Sequence, residues 1–191
     1  DRIVYREGFV STAHITRDVP VVGMNGFSKT YLMTGWRLGY IYFHDQKGRL
    51  KELKDCVEKE ARIRLSANTP VQKAGVAALK GSQSHIKEMV RKLRKRRDYS
   101  WKRLNEIEGI SCTKPEGAFY VFPKVDAIGS KWKSDAEFAT RLLEETGLLV
   151  VHGSGFDPTH GVRHFRAVTL PPIETLETAF DLLERFMAKH T

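Results

Sequence analysis

Cysteine is scarce in this chain, with two in 191 residues, Cys56 and Cys112. They stand far apart and outside any metal-ligand spacing. That excludes a disulfide scaffold, suits a reducing cytoplasm and leads us to expect no metal. No apolar run approaches the roughly 18 residues that a membrane span needs. No basic-then-apolar leader opens the sequence, and neither an internal repeat nor a low-complexity segment interrupts it. Acidic residues fall short of basic ones, 23 against 32, for a net charge of +9. Hydrophobic content of 41% and charged content of 29% otherwise describe an ordinary globular chain, long enough for one or two domains.

The excess positive charge is concentrated. Nine basic residues fall between Lys87 and Arg103, including the run Arg94-Lys95-Arg96-Arg97. Such a run can mark a nucleic-acid surface. Here Ile86, Met89, Val90, Leu93, Trp101 and Leu104 form one stripe at helical spacing, interrupted only by Arg97. A solvated helix face therefore accounts for the run, and no nucleic-acid partner is expected.

Periodicity and turn residues set out the remaining organisation. Residues 1–10 read as a strand and its exit, Pro20 to Gly26 as a short buried strand, and Gly35 to Phe43 as another. That last strand would carry Trp36, Leu38, Tyr40 and Tyr42 on one face. A helix is expected from Arg49 to about Arg62. A second follows Ser66-Ala67-Asn68-Thr69-Pro70, with Pro70 in its first turn, and a long basic helix spans about Ser84 to Glu106. Two strand pieces around Pro115-Glu116-Gly117 are expected between Ser111 and Pro123. Ser134-Asp135-Ala136-Glu137 fits a capping box and Thr146-Gly147 a C-cap. Strands at Leu148–Val151 and Phe165–Leu170 follow. A last helix after Pro171 would bury Leu176, Ala179, Phe180, Leu183 and Phe186.

The most specific stretch is Gly26-Phe27-Ser28-Lys29-Thr30-Tyr31-Leu32-Met33-Thr34-Gly35-Trp36-Arg37-Leu38-Gly39-Tyr40. It sets a lysine after a small-residue turn and an arginine eight positions later, between two glycines. A lysine amine can bond an aldehyde, and an always-charged planar guanidinium suits a phosphate. Ser28 adds a hydroxyl donor. Gly35 and Gly39 permit close backbone approach or positive φ.

This block resembles the lysine motif of class I/II pyridoxal-phosphate (PLP) aminotransferases of fold type I. Pro115-Glu116-Gly117-Ala118-Phe119-Tyr120-Val121-Phe122-Pro123 is similar to a small-domain strand of the same family, in the correct order. The resemblance implies an α/β fold: the end of the PLP-binding large domain over residues 1–80, then a connecting long helix and a small α+β domain over 81–191. It implies that Lys29 holds the cofactor covalently and carries the catalytic proton, with Ser28 and Arg37 on the phosphate. It also implies amino-acid and 2-oxo-acid substrates and a homodimer in the full-length protein. An arginine opens His164-Phe165-Arg166-Ala167-Val168-Thr169-Leu170, with Glu174, Leu176 and Glu177 following at offsets of 8, 10 and 11. Those offsets match the family's substrate-carboxylate arginine, which assigns that role to Arg166 rather than Arg163. Asn68 and Thr69 lie near a segment that reaches a neighbouring subunit's site in relatives.

The resemblance also exposes differences. The chain opens just after the place of the family's Asp-x-x-Tyr element, so the pyridine-nitrogen aspartate, the phosphate loop and the ring-stacking aromatic are not in it. A fragment is therefore expected, inactive alone and prone to self-association. Its parallel sheet would present an apolar face around Val21, Tyr40 and Tyr42. His152 stands where the family often has proline, and Gly26 where it often has a hydroxyl residue. Other fold type I enzymes, such as C–S lyases, share the lysine block. A non-catalytic basic binding module is the alternative of a different class, although it has no need of Lys29, Arg37 and Arg166 together.

Overall fold

The computed structural model describes residues 2–190, and the chain divides into two compact units, one ending at Glu88 and the other starting at Met89. In the first, a short helix α1 (Thr12–Ile15) precedes strands β1 (Val21–Gly26) and β2 (Gly39–His44). The strand expected in residues 1–10 is not among the elements. The strands pair antiparallel, from Val21 opposite His44 to Gly26 opposite Gly39. The parallel sheet expected here is thus corrected to a two-stranded antiparallel ribbon. Its apolar surface is corrected too. Val21 and Tyr40 are half-buried, while Val22, Met24, Ile41 and Tyr42 are exposed.

The expected strand start at Gly35 also fails, for a local reason. Thr34–Trp36 forms a turn of 3₁₀ helix, and Arg37 after it is left-handed at φ +53°. An extended strand cannot run through that conformation, so β2 begins only at Gly39, and Trp36 and Leu38 lie outside it.

Helix α2 (Lys51–Ile63) starts at a turn in which the Asp45 carboxylate accepts the Leu50 N–H at 2.6 Å. Helix α3 (Thr69–Lys80) is capped by Asn68, whose Oδ1 accepts the Val71 N–H at 3.0 Å, with Pro70 in the first turn. Asn68 and Thr69 therefore form the helix entry. Gly75 of α3 is buried where a Cβ would meet Leu38 Cδ2 at 2.5 Å and Phe27 Cζ at 3.3 Å. Phe27 is buried and packs on Tyr31 and Tyr40.

Helix α4 (Ser84–Glu106) has the bounds its periodicity predicts. In the second unit, Leu93 and Leu104 of its stripe are buried, and so is Arg97, at 5% exposure. Arg97 Nη1 donates to the Pro115 carbonyl, and Nε pairs with Asp98 at 2.8 Å. Other charges of the basic run are also engaged. Arg103 binds Asp181 at 2.9 Å and Glu184 at 3.0 Å, and Arg96 donates to the Leu170 carbonyl.

The strands of this unit are short: β3 (Ile110–Ser111), β4 (Tyr120–Val121), β5 (Lys124–Val125), β6 (Val151–His152) and β7 (Phe165–Val168). The pieces either side of Pro115 do not pair with each other. β3 pairs with β5, and β4 joins a three-stranded antiparallel sheet of order β4-β7-β6. Helix α5 (Asp135–Thr146) is capped by Ser134, whose hydroxyl accepts the Glu137 N–H at 3.1 Å, and it ends at Gly147 with φ +75°. Helix α6 (Ile173–His190) buries Leu176, Phe180, Leu183, Phe186 and Met187. With Leu104, Val125, Trp132, Phe138, Leu142 and Phe165 these build one continuous core.

Candidate functional site

Ser28, Lys29 and Arg37 all lie on the connection between β1 and β2, residues 27–38. Its two ends are held side by side, because Gly26 and Gly39 are register partners. Phe27 closes the base of this connection: its N–H donates to Leu38 O at 3.1 Å, and its carbonyl accepts from Tyr31 N at 3.2 Å. Lys29 is exposed in the turn that follows, on the shoulder of buried Phe27 and Thr30. The connection is thus anchored by buried ring packing while Lys29 and Arg37 are exposed and Ser28 is half-buried.

Arg37 is exposed, and its Nη1 donates to Thr34 O at 2.9 Å, which orients the guanidinium. Among the described residues no carboxylate pairs with Arg37, and the Ser28 hydroxyl has no hydrogen-bond partner. The two glycines around Arg37 are not where the positive φ falls. Arg37 itself and Leu32 adopt it, at +53° and +55°. Gly39 instead serves close approach, since a Cβ there would lie 3.1 Å from Asn25 O, whereas Gly35 faces open space. Gly26 is not sterically required: a Cβ would lie 3.8 Å from Leu38 O, leaving room for a hydroxyl residue.

In the second unit, Arg166 sits on β7, the central strand, in register with Val151 of β6. Its guanidinium lies 4.6 Å from the Tyr120 ring centroid and 4.1 Å from that of Phe156. Tyr120 comes from β4 on one side of β7, and Phe156 from the loop after β6 on the other. Arg166 is half-buried, and no hydrogen bond or ion pair of its side chain occurs among the described residues. Cations over ring faces are attracted by the ring quadrupole. Stacking of this kind leaves the N–H edge of a guanidinium for a planar, two-oxygen acceptor. Arg163 is exposed and precedes β7.

The loop carrying Phe156 is tied down tightly. Gly153 N donates to His164 O at 2.8 Å, and Gly153 packs its backbone against Gly161, where no Cβ would fit on either residue. Ser154 N donates to Asp135 Oδ2 at 2.6 Å and Ser154 Oγ to Oδ1 at 3.1 Å. His152, in place of the proline, sets Nδ1 3.0 Å from Ser154 Oγ. Asp135 is buried at 3% exposure. Burial pushes its carboxyl up, but the two hydrogen bonds from Ser154 and the backbone N–H groups of Asp135 and Ala136 together outweigh it and hold the group below the ordinary aspartate value of 3.8. The sequence shows Asp135 only as an acidic residue in a capping box. Its engagement with Ser154 depends on a contact 19 residues away, which no local pattern announces.

The chemistry of the donors on residues 27–38 fits pyridoxal phosphate: an amine for its aldehyde, and a hydroxyl and a guanidinium without acidic partners for its phosphate. Comparison with known proteins gives the same direction. The model of the family "Aminotransferase class I and II" matches residues 3–181. The glutamate-pyruvate aminotransferase AlaA of Haemophilus influenzae is 37% identical over 195 residues, covering 100% of this chain and 48% of that protein. The alanine aminotransferase of Mycobacterium tuberculosis is 34% identical, over 100% and 45%. Among solved structures, an alanine aminotransferase from Pyrococcus furiosus superimposes with a TM-score of 0.92 at 52% identity, covering 98% of this chain and 47% of that one. The chain thus spans about half the length of the relatives it matches.

Proposed function

Because the chain belongs to the aminotransferase class I and II family, whose members use pyridoxal phosphate, we propose that the whole protein moves an amino group between an amino acid and a 2-oxo acid. The observation that carries the reading is the β1–β2 connection, residues 27–38, on which Ser28, Lys29 and Arg37 all lie above a base closed by Phe27. Lys29 holds the cofactor through its amine, and Arg37 and Ser28 bind its phosphate. The bound pyridoxal ring supplies an electron sink for charge developing at the substrate α-carbon. Lys29 Nζ, released when the substrate amine takes its place, then carries the α-proton as general base and acid. Arg166 binds the α-carboxylate through the guanidinium edge that Tyr120 and Phe156 leave open. The names of the relatives make alanine and glutamate the first donors to test, with pyruvate and 2-oxoglutarate as acceptors. A homodimer in the cytoplasm completes the reading; among the described residues no helix is long and apolar enough to cross a membrane.

The test uses the full-length protein with pyridoxal phosphate. Borohydride reduction and peptide mapping should place the pyridoxyl group on Lys29. Arg166→Ala should keep the cofactor spectrum and lose kcat/KM by about 30- to 150-fold, the equivalent of about 2–3 kcal/mol for a charged bidentate contact. A label on another lysine, or an Arg166→Ala variant with unchanged kcat/KM, refutes the respective role.

A further inference from the structure

Building on the carboxylate role given to Arg166, we propose that Asp135 is a positioning residue for substrate recognition, which fixes through Ser154 the loop that lays Phe156 on the Arg166 guanidinium. An aspartate in the first turn of a helix ordinarily sits at the surface, where the helix dipole suffices to favour it. Asp135 is instead buried, and both of its oxygens are taken by one residue of another segment. The two bonds act on the backbone and side chain of Ser154 together, so they fix the position of the loop as well as its direction.

The path from Asp135 to Arg166 is short and continuous. Phe156 follows Ser154 by two residues, and its N–H donates to Gly153 O at 2.9 Å. Its ring lies 4.1 Å from the Arg166 guanidinium and meets Phe122 edge-on at 6.2 Å. Phe122 in turn stacks on His164 at 5.0 Å with an interplanar angle of 6°. The ring is therefore held from its backbone and by the edge contact with Phe122, while Tyr120 meets Arg166 from the opposite neighbouring strand. A guanidinium pressed by two rings keeps its plane, and two parallel hydrogen bonds to a carboxylate require that plane to be fixed. Releasing Ser154 frees Phe156, and Arg166 then has to be ordered by the substrate itself. The loss falls on binding, with the bond-making steps at Lys29 unaffected.

Steady-state kinetics on the full-length protein, saturated with pyridoxal phosphate, test this through a double-mutant cycle of Asp135→Ala and Arg166→Ala. Asp135→Ala should raise KM for the amino donor roughly tenfold, the size of coupling found between residues in one network. Its kcat and cofactor absorbance should stay close to the parent. In the Arg166→Ala background the same substitution should change KM no further. An equal change in both backgrounds, or none in either, overturns the proposal. Should Asp135→Ala fail to fold, Phe156→Leu carries the same cycle, since it removes the ring and leaves the buried carboxylate satisfied. A KM that responds to Arg166→Ala but to neither Asp135→Ala nor Phe156→Leu overturns the positioning role alone. A KM untouched by Arg166→Ala overturns the carboxylate role and the positioning role with it.

Discussion

Replacing Arg97 by alanine should destabilise the second unit more than any other single change in the basic run. Arg97 occupies a core position of the α4 stripe, with its head group bonded to the Pro115 carbonyl and paired with Asp98. Truncation removes a charge-assisted hydrogen bond worth about 1.5–3 kcal/mol and leaves the Pro115 carbonyl to find another donor. It also opens a cavity where the aliphatic stem packed, adding about 1–2 kcal/mol. The sum, about 2.5–5 kcal/mol, is a large share of the roughly 5–15 kcal/mol that holds a domain folded. Arg97→Met separates the two contributions. It keeps most of the stem volume and removes a buried charge whose desolvation was itself unfavourable, so its loss should stay near 1 kcal/mol. Urea unfolding of the full-length variants, followed by tryptophan fluorescence, reads both, because Trp132 lies in the core of that unit and Trp101 packs against it. An Arg97→Ala variant within about 0.5 kcal/mol of the parent, the range of ordinary surface changes, would refute the argument. So would a methionine variant as damaged as the alanine one.

Two further outcomes follow from the packing and the charges. Gly75→Val should destabilise the protein by about 1–3 kcal/mol through overpacking and weaken cofactor binding, because the new side chain presses on Phe27 next to Ser28 and Lys29. Gly75→Ala should cost less, since its helix-propensity gain of about 1 kcal/mol offsets part of the strain; a cofactor titration and melting curves distinguish them, and equal tolerance of both contradicts the close packing. For pH, the Leu50 N–H holds Asp45 low, Ser154 holds Asp135 low against its burial, and Lys189 and His190 hold Glu145 low. Carboxyls depressed in the folded state contribute stability above their unfolded values, near 3.8 for aspartate, and lose it as pH falls through the lower folded values. Unfolding free energy should therefore drop steeply below about pH 4, and Asp135→Asn should flatten that limb; an unchanged limb in the variant removes Asp135 from the account.

Helices were the legible part of this sequence, because a stripe repeating every three to four residues survives any tertiary context. The α4 stripe even marked its own anomaly at Arg97, although not what the guanidinium was for. Strand pairing was not legible. Nothing near Ser111 or Tyr120 states that β3 goes to β5 and β4 to β7, since each partner lies beyond a turn or a helix. The start of β2 is illegible for a different reason: Trp36 and Leu38 alternate as a strand should, but the left-handed Arg37 between them breaks it. Of the candidate site, Lys29 and Arg37 stand out in the sequence as a spaced pair, and Arg166 through the match of its offsets to the family pattern. The rings around Arg166 and the hold of Asp135 on Ser154 were invisible, because each joins residues that only the folded sheet brings near.

The left-handed backbone at Arg37 has a consequence for how this chain tolerates change. A non-glycine residue at φ +53° carries a conformational penalty of about 1 kcal/mol that glycine would not. The connection holds a second such residue, Leu32 at +55°. Stability alone therefore favours glycine at both positions, and a search that rewards thermostability will drift toward Arg37→Gly. The sequence that melts highest is then one that has given up the guanidinium proposed for the phosphate. Position 37 is a place where selection for endurance and selection for that proposed chemistry pull in opposite directions.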